Sequence, residues 1–198
     1  MFAATFSVSL VLLRSSLPED PLAQPEWSDG AATRLRIALS LMPIAGIAFL
    51  WFVGVVRDRL GDLEDRFFSS VYFGSGLLFL AMVFVSMALA GAIVTTADWD
   101  ASQSSRPEIV AFGRAVMLQV TNVYALRMAA VFMISLGTTW HRSGTAPRLL
   151  VITTFATAFC LLVVTSLSLW ISLVFPAWVL LVSVYVLVTV RRAGSTLL

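Results

Sequence analysis

Residues 149–190 form a run of 42 positions without one charged side chain. A single helix of that length would extend about 63 Å at 1.5 Å per residue, roughly twice the ~30 Å hydrocarbon core of a bilayer. The run must therefore fold back on itself. The segment SLWISLVFPAW supplies the turn around Trp170–Pro176, with two tryptophans suited to interface depth and a proline suited to a helix start. Two spans are predicted here, at about 149–169 and 174–190.

The rest of the chain is of the same kind. Of its 198 residues 59% are hydrophobic and 12% charged, with a mean hydropathy of +0.93. Soluble domains run at about 45–50% apolar and about 25% charged, so water cannot be the only solvent of this protein. Three further stretches are long and apolar enough to cross, at about 35–56, 67–96 and 115–138. The predicted fold is an all-α polytopic membrane helix bundle with five transmembrane helices, or six if the N-terminal apolar segment inserts. Residues 1–13, MFAATFSVSLVLL, are short for a span and lack the basic start of a secretory signal. They read as a peripheral or partly inserted segment. An acidic, proline-rich loop follows, so residues 1–33 are set apart from a bundle at 34–198.

The charged residues narrow the chemistry. All 13 basic residues are arginine, which excludes a Schiff-base lysine and a phosphate-loop lysine. One cysteine, Cys160, and one histidine, His141, cannot assemble a zinc, haem-pair or iron–sulfur ligand set within one chain. No cofactor, no metal and no catalytic residue is expected. A net charge of +2 suits loop retention beside lipid headgroups better than nucleic-acid binding. The first and third connections and the C-terminal tail hold seven arginines (Arg57, Arg59, Arg66, Arg142, Arg148, Arg191, Arg192), and five (Arg14, Arg34, Arg36, Arg106, Arg114) fall to the other side. By arginine bias the C-terminus is cytoplasmic and the N-terminus outside, in a bacterial plasma membrane.

Arg127 is the residue most open to a functional reading. A charge near the middle of a span costs at least about 2.5–3.5 kcal/mol on insertion scales and normally has a partner. At helical spacing Gln119, Tyr124 and Arg127 line one polar stripe, with Asn122 off that face. No acid lies at mid-depth in another span. The acceptors left are helix carbonyls, the hydroxyls of Thr153, Thr154, Thr157, Thr165 and Ser166, or an anionic ligand. A second feature is the connection Arg57, Asp58, Arg59, Asp62, Asp65, Arg66, where three arginines interleave with the acids. It reads as a self-neutralised surface hairpin rather than a cation site, and such exposed pairs are worth little each. The segment TTADWDASQSSRPEI reads as a solvated turn, and the hydroxyl-rich TTFATAF and TSLSLWIS as helix–helix contacts.

The blocks ATRLRIALSLMPIAGIAFLWFVGVVRDRLGDLEDRFF, YALRMAAVFMISLGTTW and LVFPAWVLLVSVYVL resemble a group of small multi-spanning membrane proteins of actinobacteria and related bacteria that have no assigned activity. The likeness covers about residues 25–190 and implies a fold without a mechanism. A fainter one is to small six-helix bacterial potassium channels, through Trp27-Ser28-Asp29-Gly30 and Trp51. Here Trp replaces the channels' Phe, no histidine pair follows Trp51, and the motif precedes a different span.

Three functions follow from these readings. The first is a structural or accessory protein whose partners are the bilayer and either copies of itself or another membrane protein. The second is a small transporter or channel with Arg127 at its site. The third is a lipid-modifying enzyme, disfavoured because no nucleophile–base or metal set can be placed.

Overall fold

The computed structural model describes residues 1–16, 29–60, 66–98, 106–163 and 169–194. Seven α-helices are defined: α1 (Phe2–Ser16), α2 (Asp29–Leu60), α3 (Arg66–Asp98), α4 (Arg106–Gln119), α5 (Leu126–Ser143), α6 (Arg148–Val163) and α7 (Val174–Gly194). A π turn, Val120–Ala125, joins α4 to α5 in one continuous helix, and a 3-10 turn, Leu169–Leu173, leads into α7. No strand occurs among the described residues. The all-helical bundle is as expected, whereas the expected five transmembrane helices are not all matched by helices of spanning length among the described residues. Four stretches are long and apolar enough to cross a membrane: Gly30–Asp58, Phe67–Thr95, Glu108–Ser143 and Ile171–Thr189. Phe2–Ser16 and Arg148–Val163 are shorter apolar helices.

Neighbouring helices run antiparallel. Ser9 on α1 donates its hydroxyl to the Ala38 carbonyl of α2 at 2.7 Å, and Tyr72 on α3 donates to Val53 of α2 at 3.0 Å. The turn after α5 closes on Gly144, whose φ of 65° is left-handed and whose N–H bonds Trp140 O at 3.0 Å. That conformation suits a residue without a Cβ. Further on, Trp178 on α7 donates its indole N–H to Thr154 Oγ1 on α6 at 2.9 Å, and both side chains are buried.

The centre of the bundle is a layer of rings. Phe49 has the ring centroids of Phe2, Phe79, Phe132 and Phe175 at 5.0, 5.4, 5.6 and 5.8 Å. Phe79 and Phe175 close the layer at 4.6 Å. Tyr72 stacks on Phe132 at 4.6 Å, and Trp178 meets the same ring edge-on. Five helices contribute a ring to this layer, which fills the middle of the bundle with apolar side chains.

α1 belongs to this core. Its apolar stripe Phe2, Phe6, Leu10 and Leu13 is buried at helical spacing, and Phe2 wedges between Phe49 and Phe175. Of the two expectations for this segment, peripheral or partly inserted, the buried stripe departs from the first: α1 is a short helix of 15 residues packed along α2.

Candidate functional site

Two polar features stand out in an otherwise apolar bundle, one buried and one on its outer surface.

The buried one gathers around the π turn. Val120, Thr121 and Val123 are β-branched, and such side chains crowd the preceding turn of a helix. The ladder here opens to an i→i−5 pattern, with the Leu126 N–H reaching Thr121 O. Thr121 Oγ1 and Ser86 Oγ of α3 lie 2.6 Å apart, and Ser86 donates to Met117 O at 3.3 Å. With one proton on Ser86, Thr121 is the donor in the first of these bonds. Asn122 turns inward to 4% exposure and accepts from Ser172 Oγ at 3.2 Å, while its Nδ2 has no partner among the described residues. Two turns earlier Arg114 is also buried, at 4% exposure. A buried donor without an acceptor costs about 1–3 kcal/mol, and π insertions concentrate at functional places.

Sequence reasoning missed this tier. Arg114 was assigned to a loop because the third span was begun at 115, yet it lies eight residues inside a helix that starts at Arg106. Two charges and a glycine in that first part dilute the apolar signal. A π insertion leaves no periodic trace, so the inward turn of Asn122 had no sequence marker beyond its polarity.

The outer feature is the predicted stripe. Gln119 is exposed, Tyr124 is 58% exposed and Arg127 is partly buried. The five-residue repeat of the π turn carries Gln119 and Tyr124 to the same side. Among the described residues, the only hydrogen bond of the Arg127 guanidinium is a weak one, from Nη1 to Val123 O at 3.4 Å. The threonines named as possible partners are engaged elsewhere. Thr153 and Thr157 donate to carbonyls of their own helix, and Thr154 both donates to Leu150 O and accepts from Trp178. Thr165 and Ser166 lie outside the described residues. Arg127 thus sits near the middle of the Glu108–Ser143 span, partly buried, with the one bond to Val123 O from its guanidinium among the described residues.

At the arginine-rich end, Arg57 and Asp58 are exposed, and the Arg57 guanidinium lies 6.0 Å from the Phe73 ring centroid. Arg142 sits over Phe68 at 4.7 Å. Asp62 and Asp65 fall in 61–65, outside the described residues, and for Arg59 and Arg66 only the helix position is described. Among the described residues no three His, Cys, Asp or Glu side chains stand together as a metal site would require. Cys160 is a free thiol on the outer surface of α6.

The apolar helices and their ring-filled core define an integral membrane helix bundle. Comparison with protein-family descriptions, curated proteins and solved structures found no match to the chain.

Proposed function

We propose that this protein is a structural or accessory component of the membrane that assembles with copies of itself through the outer face of α4 and α5. One observation carries the reading: the exposed Gln119 and Tyr124 and the partly buried Arg127 make a polar patch at mid-span, with a guanidinium that is weakly bonded among the described residues. Hydrocarbon is a poor solvent for that group, and hydrogen bonds across helices are one of the forces that hold membrane helices together. Apposed patches would supply it with carbonyl, amide and phenol acceptors. Arginine bias adds a cytoplasmic C-terminus to the reading, with the membrane in question the plasma membrane of a bacterium.

The test is the oligomeric state of the purified protein, by light scattering in detergent and by single-molecule photobleaching in liposomes. Arg127→Met keeps the length and removes the charge, and is expected to weaken association on the order of a hundredfold, with helicity and melting temperature retained. An oligomer that survives the substitution unchanged sinks the proposal, as does a wild-type chain that is monomeric in liposomes.

The same patch favours a second reading, a transporter whose polar pathway runs between protomers, beside the apolar ring layer at the centre of each. Ion flux into liposomes separates the two. An accessory protein leaves chloride and potassium flux at the level of empty vesicles. Wild-type flux that Arg127→Met abolishes in an intact oligomer selects the transporter.

A further inference from the structure

The continuous α4–α5 helix holds one residue more than a plain α-helix would place between its two buried faces. The inward row of α5 through Ala129 and Leu126 runs back at helical spacing to Asn122, Leu118, Ala115 and Ala111. The row that is buried on α4 is instead Met117, Arg114 and Val110. Each of these stands one position earlier, and the π turn Val120–Ala125 takes up the difference. α4 therefore carries two rows that fit against α3. The one seen holds a charge; the one beside it is apolar as far as Asn122.

The buried polar groups mark the same offset. Ser86 of α3 accepts from Thr121 at 2.6 Å. The next residue, Asn122, is 4% exposed and its Nδ2 has no partner among the described residues. Advancing the helix by one residue puts Asn122 where Thr121 stands, opposite the Ser86 oxygen, and gives the amide its acceptor. The hydroxyls freed by that step, on Thr121 and Ser172, can turn to a carbonyl of the preceding turn, as Ser and Thr do. An inward amide has no such fallback.

We infer that the π turn is a conformational switch. α4 has a second seat on α3, reached when the π turn closes to plain α-helix, with α4 turned by about 100° and moved about 1.5 Å along its axis. In that seat Ala111, Ala115 and Leu118 replace Val110, Arg114 and Met117, and Gln119 leaves the side of Tyr124. The seat thus sets which residues the polar patch contains. One contact holds the second seat back. Arg114 would take the place of Gly113, where a Cβ stands 3.1 Å from Ile93 Cγ1, so Ile93 must shift before α4 turns. The switch rests on the packing of α4 against α3, so its fate does not depend on the assembly proposed above.

Electron–electron double resonance between nitroxides on Cys160 and on Ile109→Cys tests the switch. Cys160 is a free, exposed thiol on α6. Ile109 is 57% exposed, and in the second seat it takes the place of Glu108, which is also exposed. The labelled chain is held in liposomes with an excess of unlabelled protein, so that only distances within one protomer are read. Two distances are expected, differing by up to about 8 Å, the chord of a 100° turn at a helix radius of about 5.5 Å. Thr121→Val keeps the shape and removes the bond to Ser86, and is expected to raise the ratio of the second distance to the first about fivefold. Ile93→Ala raises it from the α3 side, which keeps the test alive if Thr121→Val folds poorly. Asn122→Leu has no amide to satisfy and is expected to lower it. A single distance in all four chains overturns the inference, and so do two distances whose ratio none of the three substitutions moves.

Discussion

Phe49→Ala is expected to lower the stability of the bundle by about 2–3 kcal/mol, from roughly 24 cal/mol per Å³ of cavity left by the missing ring. Phe49 is 0% exposed and touches the rings of Phe2, Phe52, Phe79, Phe132 and Phe175. In a soluble protein the loss of Phe would also include the transfer of the ring from water. Here the separated helices are already in lipid, so that contribution falls away and the cavity term and lost dispersion contacts remain. Because five helices meet at this ring, the cavity cannot close by the shift of one of them. Steric-trap or denaturant unfolding in bicelles measures the loss. A change below about 1 kcal/mol would mean that the ring layer is loosely packed.

The second large effect is expected at Gly76, and it comes with a contrast. A Cβ at Gly76 would stand 3.0 Å from Phe132 Cδ2, and Phe132 is 0% exposed. A Cβ at Gly46 would overlap the Phe84 ring more severely, but Phe84 is 40% exposed on the outer surface. Phe132 is held between Tyr72, Phe49 and Trp178 and has nowhere to move. The outer ring can swing into lipid. Gly76→Ala should therefore cost about 1–3 kcal/mol, the usual penalty for overfilling a packed core, and Gly46→Ala clearly less. Thermal melting of the two variants side by side decides the matter. The reverse order would show that distance to the nearest atom, not the neighbour's freedom to yield, sets the cost.

Much of the fold was legible from hydropathy, because in hydrocarbon every backbone group must be satisfied within its own segment. That is why the uncharged run at 149–190 breaks into two helices, α6 and α7, and why the turn read at Trp170–Pro176 overlaps the 3-10 segment Leu169–Leu173. The same rule reads lengths and is blind to depth. It therefore leaves α1 as peripheral or partly inserted and starts the third span at 115, seven residues after Glu108. Arg127, Gln119 and Tyr124 were picked out by the price of polarity in a membrane. The direction they face could not be read, since it depends on where α3 and α6 pack around the continuous α4–α5 helix.

The sequence by itself determined that this chain is a bundle of apolar helices suited to a bilayer, and it marked Arg127 as a charge inside an apolar stretch. Each of these depends on local composition and on the free energy of moving a residue between water and lipid. Only the tertiary structure decided that five phenylalanines from separate helices meet in one layer, and that Asn122 and Arg114 turn inward while Tyr124 turns out. Those outcomes depend on which helix faces are pressed together. Lipid is as apolar as leucine, so hydropathy carries no information about that choice, and shape and hydrogen bonding between helices make it.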